Sequence, residues 1–314
     1  MKKLLKIIIV NIILLFIIFV GAELYCCYQY VGVSYTGSYQ GMTVLQSVEA
    51  CLDAMYRHYF KFGLNNHITN DEFREPIIQN SDKNAKNIIV AGGSFAHGCG
   101  YDNKLTLQSK LAKHLKDYNV YNIGLDGASP KETLYILRNY KKFVKDGFLP
   151  EEGDNTKYFI FIYIDDHHRR IVQEKYRRTP RFKVVEKDGE KHLEYYKSRN
   201  ILKKSFIFRH YQYWHQFPID EKINELFTLY IKDINNEVKK IYPSAEVIFF
   251  AYIIDDEQIP YDFKNVEDLG LTVIKLRDFS PIRFQKEYTF DGIHPNEKAW
   301  NEITPKFIEI AKIR

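Results

Sequence analysis

The sequence has few of the residues that small metal-binding or disulfide-rich modules require. Its 314 residues include only four cysteines (positions 26, 27, 51 and 99), and none forms a CxxC pair or a Cys/His cluster with zinc-ligand spacing. A chain of this length can bury a full hydrophobic core without disulfide bonds or metal ions. Pairing of Cys51 with Cys26 or Cys27 stays open, because spacing alone does not give connectivity.

The sequence also lacks a strong excess of either charge. Lysine and arginine number 45 against 40 acidic residues, and three of those lysines lie within the first six positions. From residue 23 onward, 42 basic residues face 40 acidic ones, so the composition argues against a nucleic-acid-binding protein. A chain that is 45% hydrophobic and 27% charged, with no internal repeat, is an ordinary globular protein rather than a disordered or collagen-like one.

The first 22 residues are a basic cluster followed by an apolar run. Residues 7–22 are apolar except for Asn11, and counting from Leu4 gives about 19 residues, enough for a helix to cross a bilayer. The lysines precede the run, which places the N-terminus in the cytoplasm and the remaining chain outside it. We predict a single-pass signal anchor in the cell membrane with an extracytoplasmic domain. The alternative is a signal peptide cleaved after residues 20–22, which would yield a secreted protein.

After residue 86, apolar runs alternate with segments of helical spacing. Buried strands are predicted at residues 87–91, 120–123, 158–164, 246–252 and 272–276. Helices are predicted at residues 106–116, 130–144, 221–241 and 301–313. This alternation predicts an α/β fold, a three-layer α/β/α sandwich around a central parallel sheet, with catalytic groups at the carboxyl ends of the strands.

We divide the chain into three parts on this basis. Residues 1–22 form the anchor, residues 23–85 a linker and lead-in with a short helix near 44–62, and residues 86–314 the main domain. Within that domain, residues 165–218 form an insertion, where two short strands flank the Asp188-Gly189 turn signal. Between residues 169 and 209, 14 basic residues face five acidic ones. We predict a basic hairpin that is either a solvated surface or a lid and docking surface for an anionic glycan or lipid headgroups.

Two segments bring catalytic residue types to strand ends. Gly92-Gly93-Ser94-Phe95 follows the first strand, and Asp291-Gly-Ile-His294-Pro-Asn lies between the last strand and the last helix. An aspartate three residues before a histidine can hold one ring nitrogen while the other faces a nucleophile. Taken alone, each segment could equally be a helix cap or a turn. Together they predict a Ser94, His294 and Asp291 constellation.

Through these residues, the sequence resembles the SGNH (GDSL-like) hydrolases. The GGSF segment, the NIGLDG segment at residues 122–127 and the DGIHPN segment resemble three blocks of that family in order and spacing. The resemblance covers about residues 86–313, with the insertion at 165–218 outside it. It implies a flavodoxin-like SGNH fold without a metal or organic cofactor.

The resemblance also implies roles for individual residues. Ser94 would be the nucleophile, His294 the base and Asp291 its orienting carboxylate. The backbone N–H groups of Ser94 and Gly127 would form an oxyanion hole, with Gly124 a poorer candidate than Gly127. The same resemblance identifies a departure, because Gly93 stands where the family usually has aspartate before the serine.

A second departure concerns the family's third block, Gly-x-Asn-Asp, whose asparagine donates to the oxyanion. Here Asp165-Asp166-His167-His168 follows the strand instead, and an ionised aspartate cannot donate a hydrogen bond. His167 and His168 are candidates for the replacement donor; the alternative is that His167 is a surface histidine beside Arg169 and Arg170. Further residues near the strand ends are candidates for substrate binding: His97, Asp165, Arg169 and Arg170.

The sequence is compatible with three functions. The first is an extracytoplasmic serine esterase that removes acetyl-like O-acyl groups from a cell-surface glycan. The second is an O-acyltransferase that uses the same three residues to acylate an exported polysaccharide. The third is a catalytically degenerate binding or assembly protein. All three exclude nucleic acid as the partner.

Overall fold

The computed structural model describes residues 2–34, 68, 72–82, 84–98, 102–172, 180–196, 219–252, 261–280, 282, 287–289 and 291–314. The chain forms two compact units, and the predicted catalytic residues all lie in the second, which comprises residues 68–172, 178–196 and 217–314. The predicted helix at 44–62 and the side chains of the four cysteines lie outside what is described.

The described part of the first unit is one helix, α1 (Lys2–Ser34), and its large apolar side chains from residue 8 to residue 19 are exposed. Across the described ranges, no helix has both the length and the apolar character needed to span a bilayer.

The second unit is built on five parallel strands. They are β1 (Lys86–Gly92), β2 (Tyr118–Asn122), β3 (Thr156–Tyr163), β6 (Glu246–Ala251) and β7 (Thr272–Lys275), in the order β2-β1-β3-β6-β7. The predicted parallel sheet is therefore confirmed. The three central strands, β1, β3 and β6, are apolar almost throughout because helices cover both faces.

Alternate residues of each strand enter one of two cores. Ile89 and Phe159 face a core covered by α4 (Pro130–Arg138), α5 (Tyr140–Lys145) and α7 (Glu221–Ile241). Ile88 and Ile160 face the other core, covered by α3 (Leu107–His114) and α9 (Glu297–Ile310). Two helices on one side and three on the other give the predicted three layers. The remaining α-helices of the described residues are α2 (Ser94–His97), α6 (Asp166–Val172) and α8 (Lys264–Glu267).

Three helix predictions need correction. The segment predicted as one helix at 130–144 is two, because the Asn139 side chain donates to the Tyr135 carbonyl and ends α4. The last helix begins at Glu297 rather than at residue 301, since Asn296 caps it. Helix α6 was not predicted, because its sequence DHHRRIV has too few apolar residues to show helical spacing.

The predicted hairpin is present, but its strands are not basic. β4 (Phe182–Lys187) and β5 (Glu190–Tyr195) pair antiparallel through Asp188 and Gly189, which both have positive φ. Residues 182–195 contain three lysines and four acidic residues, so the positive charge of the insertion belongs to its flanks. Most of those flanks, 173–179 and 197–218, fall outside the described residues.

Candidate active site

The candidate nucleophile lies where β1 turns sharply into α2. Gly92 ends β1 with φ +136°, and a Cβ there would lie 2.6 Å from the Ile162 carbonyl oxygen, so only glycine fits. Gly93 is the N-cap, and Ser94 begins the helix at 3% exposure. The Ser94 N–H makes no hydrogen bond to any described residue, as is usual for the first turn of a helix.

The candidate base lies in a turn that the DGIHPN segment builds for itself. Asp291 Oδ1 accepts hydrogen bonds from the N–H groups of Ile293 (3.0 Å) and His294 (2.8 Å). Asn296 completes the segment: its Oδ1 accepts from Ala299 N–H and starts α9, while its Nδ2 donates to the Glu287 carbonyl. The segment therefore holds His294 between a closed turn and a capped helix.

The structure brings Ser94, His294 and Asp291 into one hydrogen-bonded chain. His294 Nδ1 lies 2.7 Å from Asp291 Oδ2, and His294 Nε2 lies 2.8 Å from Ser94 Oγ, across 200 residues of sequence. An ionised aspartate can only accept, so Nδ1 carries the ring proton in the neutral imidazole. Nε2 is then the acceptor for the Ser94 hydroxyl proton. This is the arrangement that activates a serine for attack on an acyl carbon.

Asp291 is held in its ionised form. Partial burial opposes ionisation, but hydrogen bonds from the His294 backbone and ring and from Ile293 N–H outweigh it, and the pKa of Asp291 is lowered. The carboxylate is therefore negative at neutral pH and can stabilise an imidazolium at His294.

The segment after β2 supports the nucleophile helix and presents a backbone donor. Asn122, wholly buried, donates through Nδ2 to the Ala96 carbonyl (2.8 Å) and accepts the Gly124 N–H (2.9 Å). Gly124 N–H is thus already used, whereas Gly127 N–H has no hydrogen-bond partner in the described chain. Gly127 has φ +67° in the turn closed by Ala128 N–H and Leu125 O, a position that favours glycine. Sequence reasoning assigned no role to Asn122, which begins the NIGLDG segment, because nothing in the sequence predicts its bond to Ala96, 26 residues away.

The end of β3 places the acidic and basic candidates on α6. Asp165 is half-buried just before the helix, and Arg169 is half-buried on it. Arg170 is bound within the protein: Nε donates to Asp166 Oδ2 (2.6 Å) and Nη1 to the Ala128 carbonyl (3.0 Å). This places the Arg170 guanidinium against the turn that carries the Gly127 N–H. Arg170 therefore positions that turn.

The two adjacent histidines of α6 face different surroundings. Both are wholly buried, and burial is the main cause that lowers the pKa of each, that of His168 to about 3. His168 stacks on Phe227 of α7 with ring centres 4.0 Å apart, and its edge meets Tyr261. Both rings meet Tyr163 of β3, but His167 also lies against Phe161 and next to Gly93.

Three more residues support the site. His97 ends α2 half-buried, and its carbonyl and that of Gly98 accept hydrogen bonds from Arg74. Phe95 packs under the His294 ring at 5.2 Å between centres and against Tyr252 at 5.0 Å. Arg74 was not predicted, because its sequence neighbours carry no signal and its partners are main-chain carbonyls.

No group of three or more histidine, cysteine or carboxylate side chains suited to a metal ion is present within the described ranges.

No family model and no curated protein matches the sequence. Among solved structures, a lipolytic G-D-S-L family protein from Veillonella parvula is 14% identical, with 73% of this chain and 100% of that chain covered and a TM-score of 0.41. The psychrotrophic esterase EstA from Pseudoalteromonas sp. is 12% identical, with 72% and 97% covered and a TM-score of 0.42. AlinE4, an SGNH-hydrolase family esterase, is 13% identical, with 73% and 96% covered and a TM-score of 0.39. The chain is thus similar to GDSL and SGNH-hydrolase esterases at low sequence identity.

Proposed function

We propose that the protein is a serine ester hydrolase that removes O-acyl groups from a cell-surface glycan. The observation that carries this proposal is the hydrogen-bonded chain from Ser94 Oγ through His294 to Asp291 Oδ2 at 2.8 and 2.7 Å. Distances of this size need no rearrangement before proton transfer.

In the first half-reaction Ser94 Oγ attacks the acyl carbonyl carbon, and its proton moves to His294 Nε2. Asp291 stabilises the resulting imidazolium through Nδ1–H. The negative charge on the carbonyl oxygen is stabilised by the backbone N–H groups of Ser94 and Gly127. The tetrahedral intermediate then breaks its bond to the sugar oxygen, which takes the proton from His294 and leaves as the free hydroxyl.

In the second half-reaction a water molecule attacks the acyl-Ser94 ester and gives its proton to His294 Nε2. Collapse releases the carboxylic acid and returns the proton to Ser94 Oγ. None of these steps changes an oxidation state. The serine is the nucleophile, the imidazole carries the proton, and the backbone N–H groups stabilise the oxyanion.

The glycan and the location outside the cytoplasm rest on the N-terminal region. Its lysines precede the apolar run, and the apolar side chains of α1 from residue 8 to 19 are exposed, which suits a lipid environment. The basic flanks of the insertion at 165–218 would suit an anionic glycan or lipid headgroups. Carbonate extraction of membranes and protease treatment of intact cells producing the protein test this location. Release of the protein by carbonate, or protection of residues 86–314 in intact cells, would contradict it.

The chemistry is tested with the full-length protein in detergent. The wild type is expected to hydrolyse 4-nitrophenyl acetate and to react with a fluorophosphonate probe, and Ser94→Ala and His294→Ala are expected to do neither. Ser244→Ala is the matched control, because the Ser244 hydroxyl donates to the Asp154 carbonyl at the amino end of β6, the edge opposite the site. Equal reactivity of Ser94→Ala and wild type would reject the proposal and favour a binding role.

Transfer to a sugar hydroxyl shares the first half-reaction, so the acyl acceptor decides between hydrolase and transferase. With an O-acetylated polysaccharide as substrate and an unacetylated oligosaccharide present, a hydrolase releases acetate in step with ester loss. Ester loss matched by new acetyl groups on the oligosaccharide would instead identify a transferase.

A further inference from the structure

His167 carries an unsatisfied polar atom in the interior of the protein. Its ring is fully buried at the start of α6, between the Phe161 and Tyr163 rings on one side and Gly93 on another. Nδ1 accepts the backbone N–H of Ile164 at 3.4 Å, while Nε2 has no hydrogen-bond partner in the described residues. A buried polar atom without a partner costs about 1–3 kcal/mol, so its presence requires an explanation.

The contact at Nδ1 determines which nitrogen carries the proton. A backbone N–H can only donate, so Nδ1 must present its lone pair. Burial, assisted by the positive charge of Arg170, lowers the pKa of His167 well below its usual value, so the ring is neutral at physiological pH. The single ring proton is therefore on Nε2, the atom without an acceptor.

Nε2 lies beside Gly93, the residue that precedes the Ser94 N–H of the proposed oxyanion hole. A Cβ built on Gly93 would lie 3.0 Å from His167 Nε2, 3.1 Å from the Ala128 carbonyl oxygen and 3.2 Å from Arg170 Nη1. Gly93 directly precedes Ser94, and Ala128 directly follows Gly127. The imidazole thus occupies the space that a side chain at position 93 would need, where Gly93 approaches the Ala128 carbonyl.

We propose that His167 is the third oxyanion donor, and that its Nε2–H donates a hydrogen bond to the acyl carbonyl oxygen as negative charge develops there. The inference rests on the proposed serine hydrolase function. His167 transfers no proton: it donates the same hydrogen bond throughout, beside the N–H groups of Ser94 and Gly127. The ester substrate supplies the acceptor that the free protein lacks.

The central test compares His167→Phe with His167→Gln in the full-length protein, using kcat and KM for 4-nitrophenyl acetate. His167→Phe keeps a ring but removes the donor, and kcat is expected to fall about 10²- to 10³-fold, with KM changed less than about threefold. Gln can place a donor near the former Nε2 position and is expected to recover at least about tenfold of that loss. The rate of fluorophosphonate labelling, which forms a tetrahedral adduct, is expected to follow kcat.

His168→Phe is the matched control, because His168 is also buried but stacks on Phe227 away from Gly93, and its kcat is expected to stay within about threefold of wild type. Gly93→Ala provides a test that keeps the imidazole. Gly93 has φ −89°, so an alanine there requires no unusual backbone angle. Its methyl group must displace His167, the Ala128 carbonyl or Arg170 by a few tenths of an ångström. We expect its kcat to fall about tenfold or more.

The outcomes separate this inference from the proposed function. An active wild type and inactive Ser94→Ala, with His167→Phe equal to His168→Phe, would overturn the role of His167 and leave the hydrolase intact. If His167→Phe does not fold, kcat values of His167→Gln and Gly93→Ala both equal to wild type would overturn it equally. Loss of Ser94 dependence in the wild type would reject both proposals together.

Discussion

The two carboxylate oxygens of Asp291 have different hydrogen-bond partners. Oδ1 accepts two backbone N–H groups and closes the turn, while Oδ2 accepts His294 Nδ1–H. A single carboxylate therefore both shapes the segment and orients the base, and the two tasks can be separated by substitution.

Asp291→Asn is expected to keep the turn and lose the orientation. The amide oxygen can still accept the backbone N–H groups, but its NH₂ group faces Nδ1 and favours the tautomer that has its proton on Nε2. That tautomer cannot accept the Ser94 proton, so kcat should fall about 10³- to 10⁴-fold. Kinetics with 4-nitrophenyl acetate and a melting curve check this, and a kcat within about tenfold of wild type would contradict it.

Among the secondary-structure elements, Asn122 connects the helix that carries Ser94 to the segment at residues 122–127. Its amide bridges the Ala96 carbonyl of α2 and the N–H of Gly124, so a single buried side chain sets how the helix of Ser94 sits against the segment leading to Gly127. Gly124 allows this close approach, since a Cβ there would lie 2.6 Å from Ala96 Cβ.

Asn122→Ala is expected to lower the free energy of unfolding by about 2–4 kcal/mol, because it leaves two buried backbone groups without partners. Urea denaturation measures the change. Asn139→Ala is the matched control: Asn139 is exposed, so its loss should cost less than about 1 kcal/mol. Equal costs at the two positions would show that the bridge does not stabilise the fold.

The hairpin depends on one buried carboxylate of α7. Asp233 Oδ2 accepts Arg138 Nη2 at 2.8 Å and the Leu193 N–H of β5 at 3.0 Å. Asp233→Ala should destabilise the protein by about 2–3 kcal/mol, since it leaves the buried Leu193 N–H without its acceptor and removes one of the two carboxylates that pair with Arg138. Lys232→Ala, next in sequence, removes only the exposed pair with Glu190 and should cost less than about 1 kcal/mol. Chemical denaturation measures the free energy of unfolding of both variants. Similar losses in the two variants would contradict this role of Asp233.

Sequence patterns predict some of these elements and miss others for physical reasons. The five strands were predictable because strands buried on both faces are apolar runs. Helix α6 was not, since two of its three buried residues are His167 and His168, which count as polar in any periodicity. The three residues of the Ser94, His294 and Asp291 chain were predictable from short local segments. Asn122 and Arg74 were not, because each donates to a main-chain carbonyl more than 20 residues away.

At the scale of the whole molecule, the buried histidines link stability to pH. Burial lowers the pKa of His167 well below its usual value and that of His168 to about 3. Below a pH of about 6.5 the unfolded chain binds a proton on each, whereas the folded protein does not. Acidification therefore favours the unfolded state.

We expect the free energy of unfolding to decrease as the pH falls from about 6.5 toward 4, by about 1.4 kcal/mol per pH unit for His168, and His167 adds a decrease of the same sign. His168→Phe keeps the stacking on Phe227 but cannot be protonated, so its slope should be smaller by about that amount. Denaturation curves at several pH values measure both slopes. Identical slopes for the variant and the wild type would contradict the prediction.

The 200 residues between Ser94 and His294 also have a consequence for timing. Translation at about 5–20 residues per second takes roughly 10–40 s to cover that distance. Throughout this interval the emerging polypeptide contains its serine but not its base. Such an unfinished chain cannot cleave esters that it meets during synthesis, and activity begins only when the last segment has been made and has folded onto the sheet.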